Sequence, residues 1–539
     1  MNKIKIIIKD IATSPNTGED DVFKKAEKLL KRSGLALAPE AFHVHRRSVD
    51  ARKKNNIKLV YSVIAECMCS DDFDTDALAS HGFSVCNDLP VAVDYGTKTL
   101  TERPIIVGMG PAGMFCALML SYHGYKPIVI ERGDDVDTRV QKKKDFYLTH
   151  KLDTESNIQF GAGGAGTFSD GKLVTRINDS ICSYVLRSLY ELGAPQEILT
   201  KAKPHVGTDI LVDIVRNTDK KLKENGADVK YRTRLDDIIF DSEGNVRSVK
   251  LSDGSEVKCG VLVLCVGHSA RDTYEMLAQK NVVLTPKPFS VGVRIEHRRE
   301  SIDRALYGDE SLSEILGPAE YNLSTNTKVR GVYTFCMCPG GEVVAATSEE
   351  GGVVVNGMSN FKRDGENSNC AVAVSVFEKD HGGTVESAIE FQRKLERTAY
   401  QAGGGDFRAP VTTVGDFMNK RSGTLPASVK PTYMNGENIK LCNFSEFMPP
   451  FIYDAIANGL LDFDRKISGF AADDAVLTAF ETRTSAPVRI MRNENRNALG
   501  HDNLFPCGEG AGYAGGITSA AVDGIKTAIE IMRRYAPVE

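Results

Sequence analysis

The sequence predicts an α/β fold with α+β parts, on three observations. A short apolar strand runs into a glycine turn, an apolar helix and a second strand over residues 104–131. A further glycine-rich turn and a long helix follow a strand at 503–532. Ahead of both, the first ninety residues alternate strand-like and helix-like patterns.

In the N-terminal stretch, KIKIIIK (3–9) reads as a strand. Residues 20–32 have helical apolar spacing, an acid at the start and Gly34 after the end. AFHVHRRSV and NIKLVYSVIAE read as two strands, 73–81 as a short helix and FSVCN as a last strand. That β-α-β-β-α-β order predicts a ferredoxin-like unit over 1–95. Its basic stretch, including His43, His45, Arg46, Arg47, Arg52, Lys53, Lys54 and Lys58, reads as a solvated hairpin or a surface for RNA or a partner. The stacking aromatics of an RNA-binding sheet are sparse here, which favours the hairpin. Residues 90–103 read as a connector.

The segment RPIIVGMGPAGMFCALMLSYHGYKPIVIERG carries a dinucleotide fingerprint. Gly108, Gly110 and Gly113 occupy GxGxxG. They serve the tight turn, the approach of backbone to a pyrophosphate, and close packing of helix on sheet. A helix over about 112–123 opens at Ala112, and its N-terminus offers free N–H groups to phosphate. Glu131 ends the next strand 23 positions after Gly108, where an acid binds ribose hydroxyls. Pro111 within the turn and Arg132-Gly133 after the acid tilt the reading toward FAD over NAD.

Downstream, CGVLVLCVG (259–267) reads as a buried strand ending at Gly267. GAGGAGTFSDGKL (161–173) spells another GxGxxG, but no apolar strand precedes it and no ribose acid follows. It reads instead as a loop against a flavin, with Gly163, Gly164, Thr167, Ser169, Asp170 and Lys172 near the ring, or else as a surface glycine loop. With the late strand, turn and helix, this arrangement resembles the large flavoprotein superfamily, which implies a Rossmann-like FAD/NAD(P)-binding domain over 100–280 and 485–539, with a second, substrate-side domain inserted over 281–484.

The late strand, turn and helix resemble the flavoprotein superfamily that includes glutathione reductase. That resemblance implies Gly508 and Glu509 at the ribityl–pyrophosphate region. It also implies a helix N-terminus at Gly515, Gly516 and Ile517 aimed at the isoalloxazine, where its dipole favours the reduced anion. HRRSVDARKK, GMGPAGM, GAGGAGTFSDGKL, YTFCMCPGGEVV (333–344), ETRTSAPVRI (481–490) and PCGEGAGYAGGITSAAVDGI together resemble the bacterial FAD-dependent dehydrogenase family. The chain departs from glutathione reductases in lacking a CxxxxC redox pair, since only Cys116 falls in the first helix. It also lacks a second nucleotide-binding βαβ unit, so NAD(P)H is expected as a transient donor docking near the flavin.

Three residues are the candidates for chemistry. Cys336 and Cys338 alternate with Phe335 and Met337, so a regular strand would put both sulfurs on one face, as a redox pair, an acid or plain core. Arg483, within the polar cluster Arg483, Thr484, Ser485 and Arg489, reads as a binder of an anionic substrate or of the flavin pyrimidine edge, or as a salt-bridged turn. Lys172, His268 and Arg271 are secondary candidates.

The bulk numbers agree with a cytoplasmic enzyme. Apolar residues make up 42% and charged residues 26%, enough for a large core. A net charge of −5 gives no electrostatic footprint for nucleic acid or an anionic membrane. No apolar run approaches the ~18–20 residues that span a bilayer, and no secretory signal is expected. Twelve scattered cysteines, the Cys67/Cys69 pair among them, imply reduced thiols and no metal site. The expected function is an FAD-dependent dehydrogenase or reductase of a small molecule. A flavin monooxygenase and an RNA-associated flavoprotein are the alternatives.

Overall fold

A computed structural model describes residues 2–86, 91–327 and 329–538. The end of the expected FSVCN strand at Asn87, and Pro90 at the start of the expected connector, lie outside them.

The N-terminal unit contains β1 (Asn2–Thr13), α1 (Glu19–Ser33), β2 (Ala38–Asp50), β3 (Lys58–Cys69), a short α2 (Ala77–Ser80) and β4 (Phe83–Val85). Its antiparallel sheet has the order β2-β3-β1-β4. The alternation of β3 is complete, with Leu59, Tyr61, Val63, Ala65 and Cys67 buried on one face. Val22, Ala26 and Leu30 of α1 cover that face. Cys67 belongs to this core, and burial pushes its thiol up to about 11, so it is a packing residue. The basic stretch turns partly inward. Arg47 N–H donates to Thr200 O at 2.7 Å, Arg47 O accepts from Ala202 N at 2.8 Å, and the Arg46 guanidinium donates to Ala202 O at 3.1 Å. These residues dock the unit on the rest of the chain.

The next layer is a parallel sheet of five strands: β5 (Ile105–Val107), β6 (Ile128–Ile130), β7 (Asp228–Lys230), β8 (Leu262–Leu264) and β17 (Leu504–Pro506). Their order is β17-β8-β5-β6-β7, so residues four hundred positions apart in sequence share one sheet. Helix α3 (Pro111–Tyr122) is apolar all round and buried from Ala112 to Ser121. An all-apolar helix must be covered on every side. Here the sheet covers one side and the closing helix α7 (Ile517–Arg534) another, and Gly524 of α7 lies where a Cβ would stand 2.2 Å from Ala112 O.

The chain leaves this layer through Leu284–Pro286 and returns through Val488–Ile490, and the two segments pair antiparallel as a neck. Between them lies a seven-stranded sheet built from β9 (Phe289–Arg298), β10 (Ser324–Asn326), β11 (Gly331–Cys338), β13 (Asn367–Val376), β14 (Ala409–Thr413), β15 (Ile439–Leu441) and β16 (Val476–Glu481), in the order β10-β11-β13-β9-β16-β14-β15. The separate strand β12 (Val355–Ser359) pairs with Gly341–Ala345. β9 and β13 are buried nearly throughout, and helices Val385–Gly403 and Pro450–Lys466 carry their apolar faces into the same core.

Candidate functional site

The fingerprint folds as its glycines require. Gly108 has φ +96°, and a Cβ at Gly113 would stand 1.9 Å from Gly108 O, so helix and turn touch through bare backbone. Glu131, buried at the end of β6, holds three segments together. One carboxylate oxygen accepts from Met109 N at 2.8 Å; the other accepts from Gly133 N and Gly161 N, each at 2.9 Å. A carboxylate accepts about four hydrogen bonds, so one place stays open for a ribose hydroxyl.

The GAGGAG loop stacks on this turn. Gly163 N donates to Met109 O at 2.7 Å, and a Cβ at Gly164 would stand 3.0 Å from Gly110 Cα. Arg139, on α4 (Val136–Thr149), clamps the loop from beneath. Its guanidinium donates to the carbonyls of Asn157, Ile158, Ala162 and Gly164. With no carboxylate in contact, burial pulls this arginine down to about 10.

Between these elements and the seven-stranded sheet lies a cavity of about 340 Å³. Of the residues expected at the cofactor, Gly108, Gly110, Pro111, Ala112, Glu131, Arg132, Gly164, Ser169, Lys172, Gly267, Glu509, Gly515, Gly516 and Ile517 line it. Four others do not. Gly113 packs on the turn, Gly163 faces Val215, Thr167 bonds back to Ala162 O, and Gly508 faces Ala112 while donating its N–H to Asp523. Arg132 lines the cavity but spends its guanidinium on Glu155 and Asp272. Glu509 sits in the cavity wall, where burial pushes its carboxyl up to about 7 against the pull of Lys287.

The chemistry candidates separate. A bulge interrupts β11 between Phe335 and Cys338, and Cys336 has φ +44°. Strict alternation is therefore lost, which corrects the expectation of two sulfurs on one face. Phe335 and Cys336 both face the cavity, while Cys338 is fully buried behind them. The Cys338 thiol donates to the Cys336 carbonyl at 3.3 Å; against the opposing effect of burial, Cys338 and then Arg294 and Lys172 hold Cys336 below the ordinary thiol range. Arg294 donates to Cys336 O at 2.5 Å and to Cys338 Sγ at 3.3 Å, and pairs with Glu481 at 2.8 Å. Lys172 contacts Asp170 at 2.5 Å and the Met337 carbonyl. Burial opposes its charge, but Asp170 holds it above the ordinary lysine range.

Arg483 lines the cavity, yet its guanidinium is taken. It pairs with Glu396 at 2.8 and 3.1 Å and donates to Ser348 Oγ at 2.5 Å. Arg271 pairs with the same Glu396 at 2.7 and 2.8 Å. The expectation of a free anion binder at 483 thus gives way to a buried ion triad. Burial, then these two cations, bring His268 down to about 3, so the cavity faces a neutral imidazole. Arg139, Arg294 and Asn356 escape sequence reasoning, because each is a lone polar residue with no motif around it. Among the described residues no group of three or more His, Cys, Asp or Glu is placed to hold a metal, and no helix is long and apolar enough to cross a membrane.

The site fits FAD. It offers an acid with one open acceptor place, glycine walls that admit close approach, and the first turns of α3 and α7, whose N–H groups no helix satisfies internally. A parallel sheet, this fingerprint and a second helix starting on the same cavity define a dinucleotide-binding protein of the flavin type. Residues 288–484 match the family model "FAD-dependent protein, C-terminal domain-like". The chain is 44% identical over 526 residues to a Clostridium beijerinckii protein described only as uncharacterized, covering 96% of this chain and 97% of that one. It belongs to that family of FAD-dependent proteins. Solved structures with similar folds include CtdE in complex with FAD (12% identity, TM-score 0.32, covering 80% of this chain and 84% of that one). Glycine oxidase from Bacillus cereus is another (11%, 0.36, 80% and 98%), as is L-proline dehydrogenase from P. horikoshii (12%, 0.32, 81% and 92%). Overlaps this loose carry no inference about chemistry.

Proposed function

We propose that the protein is an FAD-dependent oxidoreductase, a dehydrogenase or reductase of a small molecule, with NAD(P)H as transient electron donor. One observation carries the reading: a single cavity joins the fingerprint and Glu131 to the first turn of α7 and to Cys336 and Lys172. FAD, when bound, supplies the two-electron chemistry. In this reading Glu131 holds the ribose and the first turn of α3 holds the phosphates. Gly515, Gly516 and Ile517 present a helix N-terminus that favours negative charge. Cys336, its thiol held below the ordinary range, is the base or nucleophile toward substrate. Lys172, kept charged by Asp170, is the proton donor. Arg483 positions the wall through Glu396 and touches no substrate anion.

The finer organisation belongs to the same proposal. Residues 1–95 form a ferredoxin-like unit, which the β4-β1-β3-β2 strand order supports. Residues 100–280 with 485–539 form the Rossmann-like FAD domain, and 281–484 the inserted substrate domain. A cytoplasmic setting is supported by twelve cysteines scattered along the chain without a framework spacing.

The test is an anaerobic visible spectrum of the purified protein before and after NADPH, then NADH. Yellow protein that bleaches within seconds is the expected outcome. Yellow protein that neither nucleotide bleaches removes the nicotinamide donor. Colourless protein that takes up no FAD removes the whole reading.

A further inference from the structure

A second cavity, of about 510 Å³, lies on the far side of the flavin-cavity loop. Val140, Phe168, Val212 and Met358 give it apolar walls, and Leu148 stands at its edge with 80% of its surface exposed. It shares no lining residue with the first cavity. The turn Ala165–Phe168 divides them, with Ala165 and Gly166 facing one and Phe168 the other.

The polar groups of this cavity are poorly compensated. The side chain of Lys143 is only 15% exposed, and its acidic contact, Glu342, lies at a long 3.4 Å and is itself one-third exposed. Its other neighbours are soft: Met358 Sδ at 3.4 Å and the rings of Tyr147 and Phe168 at 5.3 and 5.9 Å. Burial holds the ammonium below its ordinary value, which is what a cation short of a partner shows. The Tyr147 hydroxyl is buried without a hydrogen-bond partner. Lys144 adds a second cation to the lining, while Asp209, also in the lining, is engaged by Phe361 N at 2.8 Å.

We infer that this cavity is a second binding site, for a small amphipathic carboxylate whose head pairs with Lys143 and Tyr147 and whose apolar body lies against Phe168, Val212 and Met358. A carboxylate supplies the short charge-assisted contact that Lys143 lacks and an acceptor for the phenol. The walls supply the favourable burial of a hydrocarbon body. A cationic ligand would meet Lys143 and Lys144 as like charges. An uncharged one would leave Lys143 with only its long contact to Glu342. The site does not depend on the redox reading, because none of its lining belongs to the flavin cavity.

Calorimetry on the purified full chain tests this with octanoate, octylamine and octanol at pH 7.5. Octanoate is expected to bind one equivalent at least tenfold more tightly than the other two. Lys143→Met is expected to lose at least tenfold in octanoate affinity, and Tyr147→Phe a few-fold, with the FAD spectrum and melting temperature of Tyr147→Phe kept. Equal binding of the three probes, or none, overturns the inference without any variant. So does octanoate affinity unchanged in both variants, or octanoate that competes with FAD.

Discussion

Cys336 and Glu509 are the two side chains of the cavity whose protonation departs most usefully from the ordinary. Cys336, held below the ordinary thiol range by Cys338, Arg294 and Lys172, loses its proton more readily than a free thiol. The thiolate is the nucleophile, so alkylation should track its population. Iodoacetamide labelling of Cys336, followed by peptide mass spectrometry, is expected to stay fast at pH 6.5, where an ordinary thiol has slowed. Labelling that rises steadily toward pH 9 would show that Cys338, Arg294 and Lys172 do not hold the charge. Glu509 shifts the other way, to about 7. Between about 4.5 and 7 the unfolded chain has released this proton and the folded chain has kept it, so stability falls as pH rises through that window. Glu509→Gln removes the titration. The variant apoprotein is expected to melt above the wild type at pH 8 and level with it at pH 5.

At the scale of elements, the glycine turns and their supports decide whether a cofactor is retained. Gly113→Ala drives a methyl into the Gly108 carbonyl, where two backbones meet and neither can swing aside. That overpacking should cost about 1–3 kcal/mol and abolish FAD retention on gel filtration. Arg139→Met strands four carbonyls of the 157–164 loop, each losing on the order of 1 kcal/mol or more. It too should elute colourless, although it lies outside the cavity. The first of these elements is legible in the sequence, because GxGxxG, its flanking strands and its acid repeat a spacing set by covalent geometry. Arg139 is not legible, since its role depends on a loop eighteen to twenty-five positions further on. The same division explains Cys336 and Cys338. Two-residue alternation is a property of regular strands, and the bulge that breaks it is set by the pairing of β11 with β13, a tertiary fact. Arg483 was legible as a polar cluster, but its partner Glu396 lies 87 positions away on the helix Val385–Gly403.

For the molecule as a whole, the fold must fix the seven-stranded layer against the parallel sheet across a narrow antiparallel neck. Arg271 belongs to the first-cavity side of the parallel layer, while Glu396 and Arg483 belong to the segment beyond the neck. Their triad is fully buried, with Glu349 and Gln392 completing the shell around Arg271. A pair of buried cations around one carboxylate is weak evidence of net stabilisation, but removing the carboxylate alone leaves Arg483 without a counter-ion and Arg271 with only the partly exposed Glu349. Glu396→Gln is therefore expected to destabilise by about 3–5 kcal/mol at pH 7. The sign of its pH dependence follows from the carboxyl. Burial raises it, but Arg271 and Arg483 together hold it well below the usual range. The folded chain keeps this charge while the unfolded chain takes up a proton below about 4.5, so the wild type loses its advantage as pH falls through that region. Urea titrations at pH 7, 5 and 3.5 should show the gap between wild type and Glu396→Gln constant over the first two and narrowing at the third. A gap that is absent at pH 7 would mean that this triad does not hold the two layers together, and that the load falls on the other polar contacts between them, such as Arg363 with Asp170.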